Sequence, residues 1–274
     1  MMLNNRLHIS NYRAILQRVF FAYALVVWLY KFLSNTLLHQ LCEPVLHYPA
    51  FDQSYWLFTL SGVPAELVQM PLALLIDLLI LVAIVLSLLR PYLAFWPRVF
   101  LVFFGLFSLT FNLYSGHHYH NVGLLVGAIP FCFSRPIAFT AGFWFARFYF
   151  VFVLVSASLW KLLRGSLWHK GHFAAILEAQ NVEYFINTNK GLLYHLKMLL
   201  IENPNLAQSA WLILFCLQFS FISALFTRRF DWVLIIFYLL FITGSYTLMN
   251  INSLENTALL MTLLPLERIF NKKN

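Results

Sequence analysis

Residues 70–89 read MPLALLIDLLILVAIVLSLL, and this stretch decides the fold. It carries a single charge, Asp77, and is closed by Arg90 and Pro91. At about 1.5 Å per residue, a helix of ~20 apolar residues covers the ~30 Å hydrocarbon layer of a bilayer. The whole chain has the same character. Of its 274 residues 61% are hydrophobic, 18% aromatic and only 10% charged. Soluble domains carry about 25% charged residues, so a tenth cannot clothe a water-facing surface of this size. A soluble globular protein is therefore excluded. The fold class is an all-α integral membrane helical bundle.

Working outward from 70–89, apolar runs bounded by charge, proline or polar clusters give eight candidate spans. They are 14–33, 70–89, 97–115, 119–134, 141–162, 208–227, 231–248 and 254–268. The fourth is short and follows the third almost directly, so a tight hairpin or a re-entrant segment fits it, and seven spans is the alternative. Arginines precede the first run as they do in a signal peptide. That run ends in Trp28-Leu29-Tyr30-Lys31-Phe32 without a small-residue cleavage site, so it reads as a retained span.

The net charge of +8 is not a nucleic-acid footprint here, because Lys and Arg in a membrane chain gather in cytoplasmic loops. With the N-terminus inside, twelve of the eighteen basic residues fall on the cytoplasmic side: Arg6, Arg13, Arg18, Arg90, Arg98, Arg135, Arg147, Arg228, Arg229, Arg268, Lys272 and Lys273. Five of the other six lie in or beside 161–207, and long translocated segments escape the rule. An N-in, C-in topology follows, with two long outer segments at 34–69 and 163–207. Residues 172–186 have the apolar spacing of a short interfacial helix, at Phe173, Ile176, Leu177 and Tyr184. No repeat, low-complexity run or soluble-domain boundary interrupts the chain, which reads as one transmembrane domain over 1–274. Cys42, Cys132 and Cys216 are scattered and read as packing residues.

The topology sorts the histidines. Only His8 falls inside, whereas His39, His47, His117, His118, His120, His169, His172 and His195 map to the outer face. The plain reading is that both long loops lie there; the functional one is a site. The densest part is Ser115-Gly116-His117-His118-Tyr119-His120-Asn121. His117 and His120 would share a helix face at i, i+3. That pair lacks a third ligand nearby, and no metal is assigned. Lys161 ends the fifth span after Ser156-Ala157-Ser158-Leu159-Trp160. A lysine at a span end ordinarily snorkels to the headgroups. Facing the bundle instead, it becomes a base. Asp77 lies about two turns below the outer end of its span, where a carboxylate needs a partner or a polar cavity. Lys31 and Lys161 sit at compatible depth. The segment Asn250 to Asn256 reads as a polar turn, and no phosphate-cradling loop or soluble catalytic motif occurs.

Two stretches resemble the horizontally transferred transmembrane (HTTM) domain, the membrane part of the vitamin K-dependent gamma-carboxylases and their stand-alone bacterial relatives. One is Ala157-Ser158-Leu159-Trp160-Lys161-Leu162 with Trp168-His169-Lys170-Gly171. The other is His117-His118-Tyr119-His120-Asn121-Val122-Gly123-Leu124. The resemblance implies that Lys161 is the base acting on a reduced quinone, with His118 shaping that site. His117 stands where the family has Asn, and Leu163-Arg164-Gly165-Ser166-Leu167 replaces an acidic stretch. The large lumenal region of the carboxylases has no counterpart, so protein gamma-carboxylation is not expected. DoxX/MauE-like membrane proteins share a similar span-ending lysine.

Two functions follow. In the first, a membrane enzyme takes a quinone or other lipidic ligand into an outer-face pocket with Lys161, His118 and His117 as catalytic groups. His120, Tyr119, Trp160, Arg164, Trp168 and Asp77 would complete the ligand site. In the second, a non-enzymatic subunit docks a secreted peptide or redox protein on the outer face. No nucleic-acid partner is expected; membrane lipid is. The bacterial relatives imply the plasma membrane, with both termini cytoplasmic. The orientation predicts that an impermeant thiol reagent applied to intact cells reaches Cys42 and neither Cys132 nor Cys216. Labelling of Cys132 would reverse the topology.

Overall fold

The computed structural model describes residues 2–41, 53–114, 122–188, 190–251 and 253–264. Every regular element among them is helical. In chain order these are α1 (Met2–Leu33), α2 (Gln53–Leu60), α3 (Val63–Leu67), α4 (Leu72–Leu89), α5 (Phe95–Tyr114), α6 (Gly123–Ala128) and α7 (Pro136–Leu163). They continue with α8 (His172–Gln180), α9 (Val182–Asn187), α10 (Leu192–Glu202), α11 (Pro204–Phe219), α12 (Ser223–Phe226), α13 (Asp231–Met249) and α14 (Leu254–Thr257).

Six stretches are long and apolar enough to cross a bilayer: Tyr12–Gln40, Leu72–Leu89, Phe95–Tyr114, Pro136–Leu163, Pro204–Phe226 and Asp231–Met249. Their outward faces agree with that reading. Leu75, Leu78 and Val82 on α4, and Val233, Ile236 and Leu240 on α13, are each more than 40% exposed. The spacing i, i+3, i+7 makes each set a continuous apolar stripe. Such stripes are a liability in water and the expected surface in lipid. The chain has the architecture of a polytopic integral membrane protein.

The count of eight spans is reduced to six among the described residues. The fourth candidate is only α6 and a 3-10 turn, together Gly123–Cys132. The described part of the eighth is α14 and a 3-10 turn, Ala258–Leu263. Ten residues at 1.5–2 Å each span roughly 15–20 Å, about half the hydrocarbon layer.

The chain divides into two compact units, with the boundary inside α7 between Ala146 and Arg147. The first unit comprises residues 1–146 with 254–262. Its core is aromatic. Phe100, Phe104, Phe107 and Phe111 form a stacked ridge along α5, with centroids 5.0–5.7 Å apart. Trp28 and Phe21 of α1 meet this ridge edge-on. Lipid tails are as apolar as leucine, so helices associate there by close packing. Aromatic pairs of this geometry add about 0.5–1.5 kcal/mol each beyond area burial.

Two short helices are built into this unit. The last carbonyls of 123–132 are received by arginines: Arg13 donates to Phe131 O at 3.2 Å and Arg98 to Cys132 O at 2.9 Å. Cations at a helix C-terminus satisfy its free carbonyls and oppose its dipole. At the other end, Gly123 lies against the start of α14. A methyl group there would fall 2.4 Å from Asn256 Cα and Glu255 O, so only glycine admits the contact.

The second unit comprises 147–253 with 263–274. Its core joins Leu167, Phe173, Leu177, Leu200, Trp211, Leu214 and Met249, which brings α8 and α10 onto α11 and α13. The surface segment 163–203 is thus anchored by its own buried residues. Arg147 is a correction to the charge reading above. It is 1% exposed and is no loop residue. Its guanidinium makes a two-pronged pair with Asp231 at 2.8 and 2.9 Å, and donates to Ala224 O. Removing one member of such a pair strands the other charge in an apolar interior, at about 3–5 kcal/mol. Arg147→Leu and Asp231→Asn should each lower thermal stability in detergent by that amount. Arg147→Lys should recover little, because an ammonium cannot make the planar double contact. A wild-type melting profile in all three would refute the structural role.

Candidate functional site

The last turn of α7 is fixed by its exit. Gly165 adopts φ +69°, and Gly165 N and Ser166 N donate to Leu162 O and Lys161 O. This paired closure with a left-handed glycine is the Schellman ending. Ser166 Oγ adds a further bond to Lys161 O. The backbone of Lys161 is therefore held, and its side chain leaves from a defined point.

That side chain turns inward onto α11. Trp211 and Gln218 are seven residues apart, two turns along one helix face, and both are buried. The Lys161 ammonium donates to Gln218 Oε1 and lies 4.4 Å from the centre of the Trp211 ring. A cation over an indole is attracted to its negative face, with ~2 kcal/mol available where water is excluded. None of the three ion pairs formed among the described residues includes Lys161. Two neutral groups hold it, and neither carries the full negative charge that would lock it in a salt bridge. The Trp211 Nε1–H is buried without a hydrogen-bond partner. Phe173 stacks on the same indole at 5.0 Å and the His172 ring approaches it edge-on at 5.9 Å. The assembly gathers aromatic faces and two donors, Lys161 Nζ and Trp211 Nε1, with no ion-paired anion among the described residues.

The other expected site residues are dispersed. Trp160 is 55% exposed, and Arg164 stacks over it at 4.4 Å. Trp168 is 69% exposed. All three lie on the surface of the second unit rather than at the Lys161 ammonium. His117, His118, Tyr119 and His120 lie outside the described residues. Asp77 faces the bundle at 3% exposure, but its partner is not Lys31. Its carboxylate accepts from His39 Nδ1 at 2.7 Å and from the backbone N–H groups of Leu38 and His39. It caps the turn that follows α1. Lys31 instead pairs with Glu255.

Gln218, Trp211 and His172 complete the Lys161 surroundings, and the sequence reading did not single them out for it. A glutamine within an apolar run was the available signal, since an amide in lipid needs a partner. A buried amine, Lys197 of α10, was also missed. It is 3% exposed, donates to Asn181 Oδ1 at 2.5 Å and lies 4.2 Å over the Tyr184 ring. Asn181 in turn donates to Leu177 O and Leu248 O, both at 2.8 Å.

No family model matches the chain, and no match emerged among curated proteins or among solved structures.

Burial lowers the Lys197 ammonium from its ordinary value of 10.5. Between the lowered value and 10.5 the unfolded chain binds the proton more tightly, so stability rises with pH across that window. Unfolding in detergent across the alkaline range should show this rise in wild type and lose it in Lys197→Met. Parallel profiles for the two proteins would show that burial of Lys197 carries no such penalty.

Proposed function

We propose that this polytopic membrane protein holds a quinone-like or other lipidic ligand at its outer face and uses Lys161 as a base. The observation that carries this reading is the seat of the Lys161 ammonium on Gln218 and Trp211, with no ion pair to a carboxylate of the described residues. A snorkelling lysine would extend to the headgroups, and a structural one would pair with an acid. An amine between neutral partners is free to exchange its proton. In its neutral form Lys161 Nζ takes the proton of a ligand hydroxyl, and the electron pair stays on the ligand oxygen. That oxyanion then faces the ammonium just formed, with the buried Trp211 N–H as a second donor. A ligand soluble in the bilayer enters such a site between helices, without crossing water.

The resemblance to the HTTM domain, read from the sequence, supports the same residue as base. An N-in, C-in arrangement in a bacterial plasma membrane puts this end of α7 outside. A second reading has its own support. Trp168, Ile186 and Leu192, all on the surface segment 163–203, are 69–89% exposed. This is a face suited to a secreted peptide or a redox protein, and on that reading the chain is an accessory subunit.

Organic-solvent extraction of the purified protein separates the two. The first reading expects a stoichiometric lipid-soluble compound with an oxidisable hydroxyl or carbonyl, reduced about tenfold or more in Lys161→Met, equivalent to ~1.4 kcal/mol of binding. Lys161→Arg should retain the compound and fail to deprotonate it, because guanidinium holds its proton at every accessible pH. No extractable compound and a co-purifying polypeptide would favour the accessory role.

A further inference from the structure

Three carboxyl groups of the described residues are buried to nine-tenths or more: Asp77, Asp231 and Glu255. Two are saturated. Asp77 accepts three hydrogen bonds from His39 and the Leu38–His39 backbone. Asp231 has an arginine nitrogen on each oxygen. Glu255 differs. Its Oε1 meets Lys31 Nζ at 2.9 Å, whereas its Oε2 is buried with no hydrogen-bond partner. A buried oxygen of a carboxylate left without a partner is costly, more so than one of a neutral group. Something that supplies a hydrogen relieves that cost.

The surroundings favour the smallest such ligand. Glu255 sits at the start of α14, where the backbone presses on Gly123 so closely that a methyl group has no room. Lys31 is not held by the carboxylate alone. Its ammonium lies 4.8 Å from the Phe111 ring centre and 5.2 Å from Phe107. The attraction to these two ring faces does not depend on the charge of Glu255. On α1, the Tyr23 hydroxyl donates to Leu254 O at 2.7 Å and also meets the Thr257 side chain. Among the described residues Lys31 and Tyr23 are the titratable groups facing Glu255 from α1. The residues of α6 are all apolar or glycine, and α5 contributes the two phenyl rings.

We propose that Glu255 is a proton-binding site within the bundle, loaded on Oε2 and read out by Lys31. With Oε2 unprotonated, the carboxylate and the ammonium pair, tying α1 to the 254–263 helices. When a proton from solvent binds Oε2, the carboxyl becomes neutral and the ion pair becomes a single neutral-acceptor contact. Lys31 then rests chiefly on Phe107 and Phe111. No other group changes charge, and the proton returns to solvent on reversal. The device is independent of the Lys161 ligand, which belongs to the other unit.

Infrared pH-difference spectroscopy of the full chain in lipid nanodiscs tests this, with the proton as the only probe. The expected result is a protonated-carboxyl C=O band that grows as pH falls. It should vanish in Glu255→Gln, change frequency in Glu255→Asp and persist in Asp77→Asn. In Lys31→Met its midpoint should move up by about one pH unit or more, since the cation that favours the anion is gone. Absence of a band that responds to either Glu255 variant would overturn the proposal. So would a midpoint that Lys31→Met leaves in place. Glu255→Asp keeps the test valid if Glu255→Gln fails to fold. A lost Lys161 ligand with an intact Glu255 band would refute the proposed function alone.

Discussion

Polar groups inside this bundle have no water to fall back on, and that constraint organises the rest of the structure. A helix that crosses the whole hydrocarbon satisfies its backbone internally. A helix that stops halfway does not, and the chain contains one at 123–132 whose last carbonyls end inside protein. Arg13 and Arg98 close that end from α1 and α5, which gives both arginines a structural task beyond fixing orientation. The same helix begins at Gly123, where the absence of a side chain lets the start of α14 approach. The first unit is thus held together at its short helices by backbone partners, and along its long helices by the aromatic ridge on α5.

The buried charges are settled in three different ways, and the differences separate structure from chemistry. Arg147–Asp231 is geometrically complete: a planar donor fork meets a planar acceptor, and the remaining nitrogen takes a carbonyl. Asp77 is complete too, through two amides and an imidazole. Such groups have nothing left to offer a ligand. Lys161, Lys197 and Glu255 are incomplete. The two lysines rest on neutral amides and aromatic faces, and the glutamate leaves one oxygen bare. Incompleteness is costly in an apolar medium and is retained where a proton or a ligand must come and go.

How much of this was legible in the sequence follows the range of the interaction. Runs such as 70–89 and 231–248 declare a span from composition alone, because crossing lipid is a local requirement of length and hydropathy. The two half-length elements misled for the same reason. Residues 119–134 and 254–268 are apolar enough, and among the described residues they form short helical pieces, Gly123–Cys132 and Leu254–Leu263, that meet where Gly123 packs on Asn256. Arg147 was counted with the cytoplasmic-side charges because it lies near the inner end of the 141–162 run. Its partner Asp231 is 84 residues away. The depth argument for Asp77 required a polar partner inside the bundle, and His39 is one; the lysines at compatible depth are not. His39 reaches it because α1 ends at Leu33 and the following turn folds back.

The Lys161 site shows where sequence and geometry meet. Position in the span marked the lysine, and nothing in the neighbouring residues marked its direction. Direction comes from the Schellman ending at Gly165 and from an α11 face that presents Trp211 and Gln218 two turns apart. An arginine, a leucine or a carboxylate at position 218 would each keep the span apolar enough to insert, with one charge at most. Each would also change the chemistry: the first repels the ammonium, the second releases it toward the headgroups, and the third locks it as a salt bridge. A neutral amide is the choice that holds the amine in place and leaves its proton transferable, and this is why Gln218 is as much a part of the proposed base as Lys161 itself.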